Sequence, residues 1–284
     1  MEIIKRHCLI SFFLITYGIS WGIPGLALLL SSVADGFEVS MQEYSLLSYI
    51  AILAPAISAF IVILVSQGKT GLLAYLKRLL DWEANWTWYA IVLLAVPLIN
   101  LIAAILMKVS YGSWLVKPTV PISTFLLTVL LKGTEGPFEE LGWRGFALPL
   151  LQRRFSGLKS AIILGFIWML WHVPALFFQT VMTQAFQGDI VVMLLRLFVG
   201  GIATTIIMTV IYNGSGGSIT LMFLWHWLSN IPYPWESGSG ISIMQDVLMV
   251  LIAIIFILTL RDRYLGKNNL FTNVIPGIPE PDDV

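Results

Sequence analysis

The stretch WTWYAIVLLAVPLINLIAAILMK, residues 86–108, carries no charge before its terminal Lys108. A helix crossing a bilayer needs about 20 mainly apolar residues, and this stretch supplies them. Trp82, Trp86, Trp88 and Tyr89 gather at its start as an aromatic belt at the membrane interface, with no chemistry implied. Reading outward, comparable runs fall near 8–31, 46–66, 121–134, 159–179, 190–212, 217–231 and 242–260. The expectation is an all-α, polytopic membrane bundle of about eight transmembrane helices, with residues 1–284 forming a single membrane domain.

Composition agrees. The chain is 58% hydrophobic and 11% charged, where soluble domains carry roughly one quarter charged residues. Sixteen basic and sixteen acidic residues cancel, and the basic ones are dispersed, so nucleic acid is excluded as a partner while membrane lipid is implied. Cys8 stands alone, which rules out an internal disulfide and a thiolate metal cluster. It reads as a small apolar residue of the first helix.

Lys5 and Arg6 before a long apolar run suit a retained signal-anchor helix, although Ser32-Val33-Ala34 offers a cleavage site. If eight helices alternate, Lys5, Arg6, Lys69, Lys77, Arg78, Arg153, Arg154, Lys159, Arg261, Arg263 and Lys267 share one side. The excess of Lys and Arg in cytoplasmic loops then puts both termini in the cytoplasm. Asp35, Glu38, Glu43, Asp189 and Glu236 face the other side, with Lys117 as the exception. Short loops suit a multi-pass protein of a prokaryotic plasma membrane. The polar, Pro-containing tail 268–284 is expected to be disordered.

Ionisable groups at bilayer depth are costly and mark function. Three elements hold them. The first, Glu139-Glu140-Leu141-Gly142-Trp143-Arg144-Gly145, lies in a helical segment near 136–151, too short and polar to span, which is expected to dip into the protein. A spacing of four puts Glu140 and Arg144 on one face as an ion pair, and turns Glu139 about 100° away. The second is Trp168-Met169-Leu170-Trp171-His172, with Pro174 just beyond to kink or end the helix. The third is His226-Trp227-Leu228-Ser229-Asn230, again with its polar residues four apart.

A desolvated carboxylate has a raised pKa and serves as a general base near neutral pH, so Glu139 can take a proton from water attacking a peptide carbonyl. The histidines and Asn230 can stabilise the oxyanion or position the water. A carboxylate and two imidazoles are equally the ligands of a hydrolytic zinc ion, and Glu139, His172 and His226 would then be its ligands. Zinc and no cofactor both remain open, because a His-Glu-x-x-His helix is missing.

The order Glu-Glu-x-x-x-Arg, aromatic-x-x-x-His, His-x-x-x-Asn on separate helices resembles the CAAX-protease and bacteriocin-processing family, also called the Abi family, over residues 120–235. The resemblance implies an intramembrane endopeptidase acting on prenylated (CAAX-type) or other membrane-associated peptides and proteins. It assigns water activation to Glu139, catalytic roles to His172, His226 and Asn230, and support to Glu140, Arg144 and Trp168. Trp168 replaces the family's commoner Phe, and either ring packs beside an imidazole. The family includes members regarded as metalloproteases and members regarded as glutamate-dependent, so the resemblance leaves the metal open as well.

Singly, each element has a structural reading: Glu140 with Arg144 as a helix ion pair, the histidines and Asn230 as interhelical glue. A non-catalytic peptide-binding or bacteriocin immunity protein would keep the fold without cleavage. A proton-coupled transporter would use intramembrane Glu and His as a relay, but its inverted repeat is not apparent. Arg196 reads as snorkelling, and it and Asp246 are placed outside the site, as is Glu135.

Overall fold

The fold was described from a computed structural model, which covers residues 1–33, 41–111, 121–134, 136–183, 190–233 and 239–274. The Ser32-Val33-Ala34 site, Glu135, the opposite-side loop charges and the last ten residues of the tail lie outside the residues whose side chains are described. Every regular element among the described residues is helical.

The helices run in the order α1 (Glu2–Arg6), α2 (Cys8–Tyr17), α3 (Ile23–Val33), α4 (Met41–Lys77), α5 (Trp86–Tyr111) and α6 (Ile122–Lys132). A composite segment follows: a 3-10 turn at Gly136–Glu139, α7 (Glu140–Gly142), a π turn at Trp143–Ala147 and α8 (Leu148–Arg154). The chain continues through α9 (Gly157–Thr183), α10 (Ile190–Gly214), α11 (Ile219–Asn230) and α12 (Ser239–Leu260). Gly68 supplies the one break inside α4, at φ +67°, a conformation that suits a residue without Cβ.

Among the described residues, six helical stretches are long and apolar enough to cross a membrane: Cys8–Ala27, Leu47–Leu80, Trp86–Ser110, Gly157–Leu176, Ile190–Gly214 and Ser242–Leu265. The sequence had suggested eight. The other two, α6 and α11, have 11 and 12 residues, hence lengths of about 16 and 18 Å, short of a hydrocarbon core about 30 Å thick. Leu94, Leu130, Ile255 and Leu258 point outward from their helices at 54–78% exposure, as side chains bathed in lipid would. Water would penalise such a surface.

One hydrophobic cluster extends from Cys8 to Val274 and holds the bundle together. Helices α9 and α10 pack closely at Gly165, where a Cβ would sit 3.0 Å from Ile202 Cα; small residues allow such approaches between membrane helices. Pro174 does not end α9, which continues to Thr183. The composite segment is the element that positions the site, and residues 139–152 are continuously buried.

The start of the tail differs from the expected disorder. Arg78 donates to Val274 O at 3.0 Å, Gln152 to Phe271 O at 2.8 Å and Arg153 to Thr272 O at 3.1 Å. Val274 is 1% exposed. These bonds to backbone carbonyls order a strap whose own composition is polar. They also bring Arg78, Arg153 and the chain after α12 together.

Candidate active site

Glu140 is the centre of the polar cluster. It is fully buried, and its Oε1 accepts from Arg144 Nη1 at 2.9 Å and from His226 Nδ1 at 2.7 Å. The first contact joins residues four apart along the composite segment; the second reaches across to α11. Arg144, also fully buried, donates through Nη2 to Thr205 Oγ1 of α10 at 3.0 Å and lies 4.1 Å from the Trp168 ring centroid. A buried charge is costly without partners, and this guanidinium finds a carboxylate and a hydroxyl through its Nη atoms and an aromatic ring beside it.

Glu139 points elsewhere, as the helical offset requires. Its Oε2 accepts from the indole Nε1 of Trp168 at 3.1 Å. The side chain lies in the short segment between the six apolar spans and is 3% exposed. Desolvation pushes its carboxyl up to about 7, against the lowering effect of His226 and of the Trp168 hydrogen bond. Such a group changes protonation in the neutral range.

His172 is held by its own helix. Its Nδ1 lies 2.8 Å from the carbonyl of Trp168, and its ring meets Trp168 and Trp171 edge to face at 5.2 and 4.7 Å. A carbonyl only accepts, so Nδ1 carries the hydrogen and Nε2 is left with a lone pair. Nδ1 of His226 likewise carries a hydrogen, because it faces the Glu140 carboxylate at 2.7 Å. Gly136 makes room for the third element: at φ +29°, a Cβ there would lie 2.6 Å from His226 Nε2 and 2.7 Å from Asn230 Nδ2.

Trp168, His172, His226 and Asn230 line a cavity of about 300 Å³. Glu139 stands one side chain behind this wall, joined to it through Trp168. Asn100, Gln245 and Asp246 line the same cavity, and Gln245 donates to Asn100 Oδ1. The sequence had placed Asp246 and Arg196 outside the site. They form an ion pair at 2.8 Å across α10 and α12, and Asp246 also lines the cavity. Thr205, the partner of Arg144, was not anticipated; its only sequence signal is a hydroxyl within an apolar run.

Among the described residues, no group of three or more His, Cys, Asp or Glu side chains is arranged to hold a metal ion. The Nδ1 atoms of both histidines are occupied by protein acceptors, and Glu139 Oε2 is engaged by an indole. These bonds leave each Nε2 free, as in metal-binding histidines, but Glu139, His172 and His226 as they stand are not gathered as a ligand set.

Comparison with known proteins places this geometry in context. Residues 118–232 match the family described as type II CAAX prenyl endopeptidase Rce1-like, a span close to the 120–235 carrying the three elements. The chain is 28% identical over 274 residues to CAAX prenyl protease 2 of Methanococcus maripaludis, covering 92% of this chain and 94% of that protein.

Proposed function

We propose that this chain, which is similar to the type II CAAX prenyl endopeptidases of the Rce1-like family over residues 118–232, is a membrane-embedded protease that cleaves prenylated, CAAX-type protein tails by a water that Glu139 activates. The observation that carries this reading is the convergence of His172, His226 and Asn230 on one cavity, with Trp168 hydrogen-bonding Glu139 from its wall.

In this mechanism the Glu139 carboxylate removes a proton from water as its oxygen attacks the scissile carbonyl carbon. The unprotonated Nε2 of His172 accepts a hydrogen bond from the water's second O–H, which stays on the oxygen, and aims the attacking lone pair. The Asn230 amide donates to the oxyanion, where a preformed donor in a dry site is most effective. His226, oriented by Glu140, adds a second donor at Nε2 when protonated. Protonated Glu139 then returns its proton to the leaving amine as the C–N bond breaks, completing a general base and general acid cycle. Glu140 and Arg144 touch no reacting atom; they hold His226 and the segment itself.

The membrane supplies half of the specificity. A prenyl chain partitions into lipid and brings the peptide to a cavity between apolar helices. Arg78, Arg153 and the C-terminal strap are assigned to the cytoplasmic side of a prokaryotic plasma membrane, with both termini there.

The test is cleavage of a farnesylated CAAX-type peptide and its unprenylated twin by purified protein in lipid nanodiscs, read by mass spectrometry with and without chelator. The expected result is cleavage of the farnesylated peptide that chelator leaves unchanged. Loss with chelator and recovery with zinc would contradict direct water activation by Glu139.

A further inference from the structure

The composite segment is irregular where it carries Glu139, Glu140 and Arg144. A 3-10 turn precedes them, and a π turn spans Trp143–Ala147. Segments of mixed helical type leave backbone carbonyls to be satisfied from outside. Helix α4 and its end supply two donors. The Tyr75 hydroxyl, wholly buried, donates to Leu141 O, and Arg78 Nη1 donates to Gly145 O at 3.2 Å. The fit is tight, since a Cβ on Gly145 would collide with the Tyr75 hydroxyl.

Arg78 reaches further. Nη1 also donates to Val274 O at 3.0 Å, while Nη2 donates to Tyr212 Oη and to Gly217 O, each at 3.1 Å. Gly217 lies in the turn that leads into α11, the helix presenting His226 and Asn230. Phe271 of the strap closes the clamp: its ring centroid lies 5.1 Å from the guanidinium, and a Cβ on Gly217 would strike that ring. One planar cation thus ties the segment bearing Glu139 to the turn that aims His226. Only a guanidinium has donors enough, in a fixed fork, for four acceptors.

The geometry points to Arg78 as a positioning residue for the proteolytic site, with Tyr75 and the Phe271–Val274 strap as the other parts of one clamp. The inference rests on the reading of Glu139 and His226 as catalytic. Arg78 touches neither; it sets the separation between the two elements that carry them. Small displacements matter in such sites, where a misplacement of about 1 Å can cost about a hundredfold in rate.

The test uses the full-length protein in nanodiscs with Arg78→Lys, which keeps the charge and loses the fork, Phe271→Ala, which loosens the strap, and Tyr75→Phe, which removes only a hydroxyl. Hydrolysis of a farnesylated CAAX-type peptide is measured alongside amide hydrogen exchange over 136–151 and 215–230. For Arg78→Lys the expected result is a kcat lowered about tenfold to a hundredfold, KM within about threefold of wild type, unchanged helicity, and faster exchange in both segments. Should Arg78→Lys fail to fold, Tyr75→Phe carries the test, with faster exchange over 136–151 and a lowered kcat.

If wild-type protein cleaves neither peptide, the proposed substrate fails, yet the exchange measurement still decides the clamp. Faster exchange in both segments supports it. Wild-type exchange in both, or a wild-type kcat in Arg78→Lys, overturns it. So does a lowered kcat with exchange unchanged over 215–230.

Discussion

Oε1 of Glu140 serves Arg144 at 2.9 Å and His226 at 2.7 Å, so one carboxylate oxygen joins the buried cation of the composite segment to the imidazole of α11. Glu140→Ala would leave Arg144 uncompensated at 0% exposure. Removing one partner of a buried ion pair costs about 3–5 kcal/mol. Glu140→Ala is therefore expected to lower stability by that order and to abolish cleavage, whereas Glu140→Gln keeps the shape but weakens the hold on both partners. Thermal unfolding of the nanodisc-embedded variants, beside their cleavage rates, checks both effects.

Gly136 is the point at which backbone meets catalytic side chains. Gly136→Ala places a methyl 2.6 Å from His226 Nε2 and 2.7 Å from Asn230 Nδ2, both inside van der Waals contact, and at a φ of +29° that an L side chain rarely adopts. The expected outcome is a kcat reduced about a hundredfold in a protein that retains its helicity. A wild-type kcat would mean that His226 and Asn230 are not held where the mechanism needs them.

The pH dependence follows from Glu139. A general base must be unprotonated, so kcat/KM should rise with pH through a limb centred near the value of about 7 to which burial pushes this carboxyl. The Trp168 hydrogen bond favours the charged form. Trp168→Phe removes that bond and keeps an aromatic ring, so the variant should stay active with its limb moved to higher pH. A limb moved to lower pH in Trp168→Phe would assign the titration to another group.

Asp246 lines the cavity together with the histidines and pairs with Arg196. Both side chains are about one third exposed, which limits the pair's part in stability. Asp246→Asn is expected to leave the unfolding temperature nearly unchanged and to raise KM several-fold with little change in kcat, the pattern of lost uniform binding. Steady-state kinetics on the farnesylated peptide separates the two constants.

The motif residues were legible because polar groups are conspicuous in apolar helices. Spacing alone placed Glu140 beside Arg144, and both are found there; the rotation that turned Glu139 away is the one that lets it meet Trp168. Long-range partners leave no local trace. The Glu140–His226 contact joins positions 86 apart, and Arg78 read as a loop charge marking one face of the membrane, when four acceptors from distant segments converge on it. The strap misled for a related reason: polar composition argues for disorder only when nothing else in the chain binds the backbone, and Arg78, Gln152 and Arg153 bind it. Helices α6 and α11 were read as crossings from their hydrophobicity, while their lengths depend on where turns at Gly133 and Ile231 end them.

The central claim is that Glu139 takes the proton from the attacking water. The direct measurement is single-turnover hydrolysis of a farnesylated CAAX-type peptide by wild-type protein and Glu139→Gln at saturating enzyme, with peptide affinity measured on the same preparations. The account predicts a rate lowered by about two to four orders of magnitude, the range for loss of a general base, with affinity nearly unchanged. A Glu139→Gln rate within about tenfold of wild type, on a wild-type enzyme shown to cleave, would contradict it.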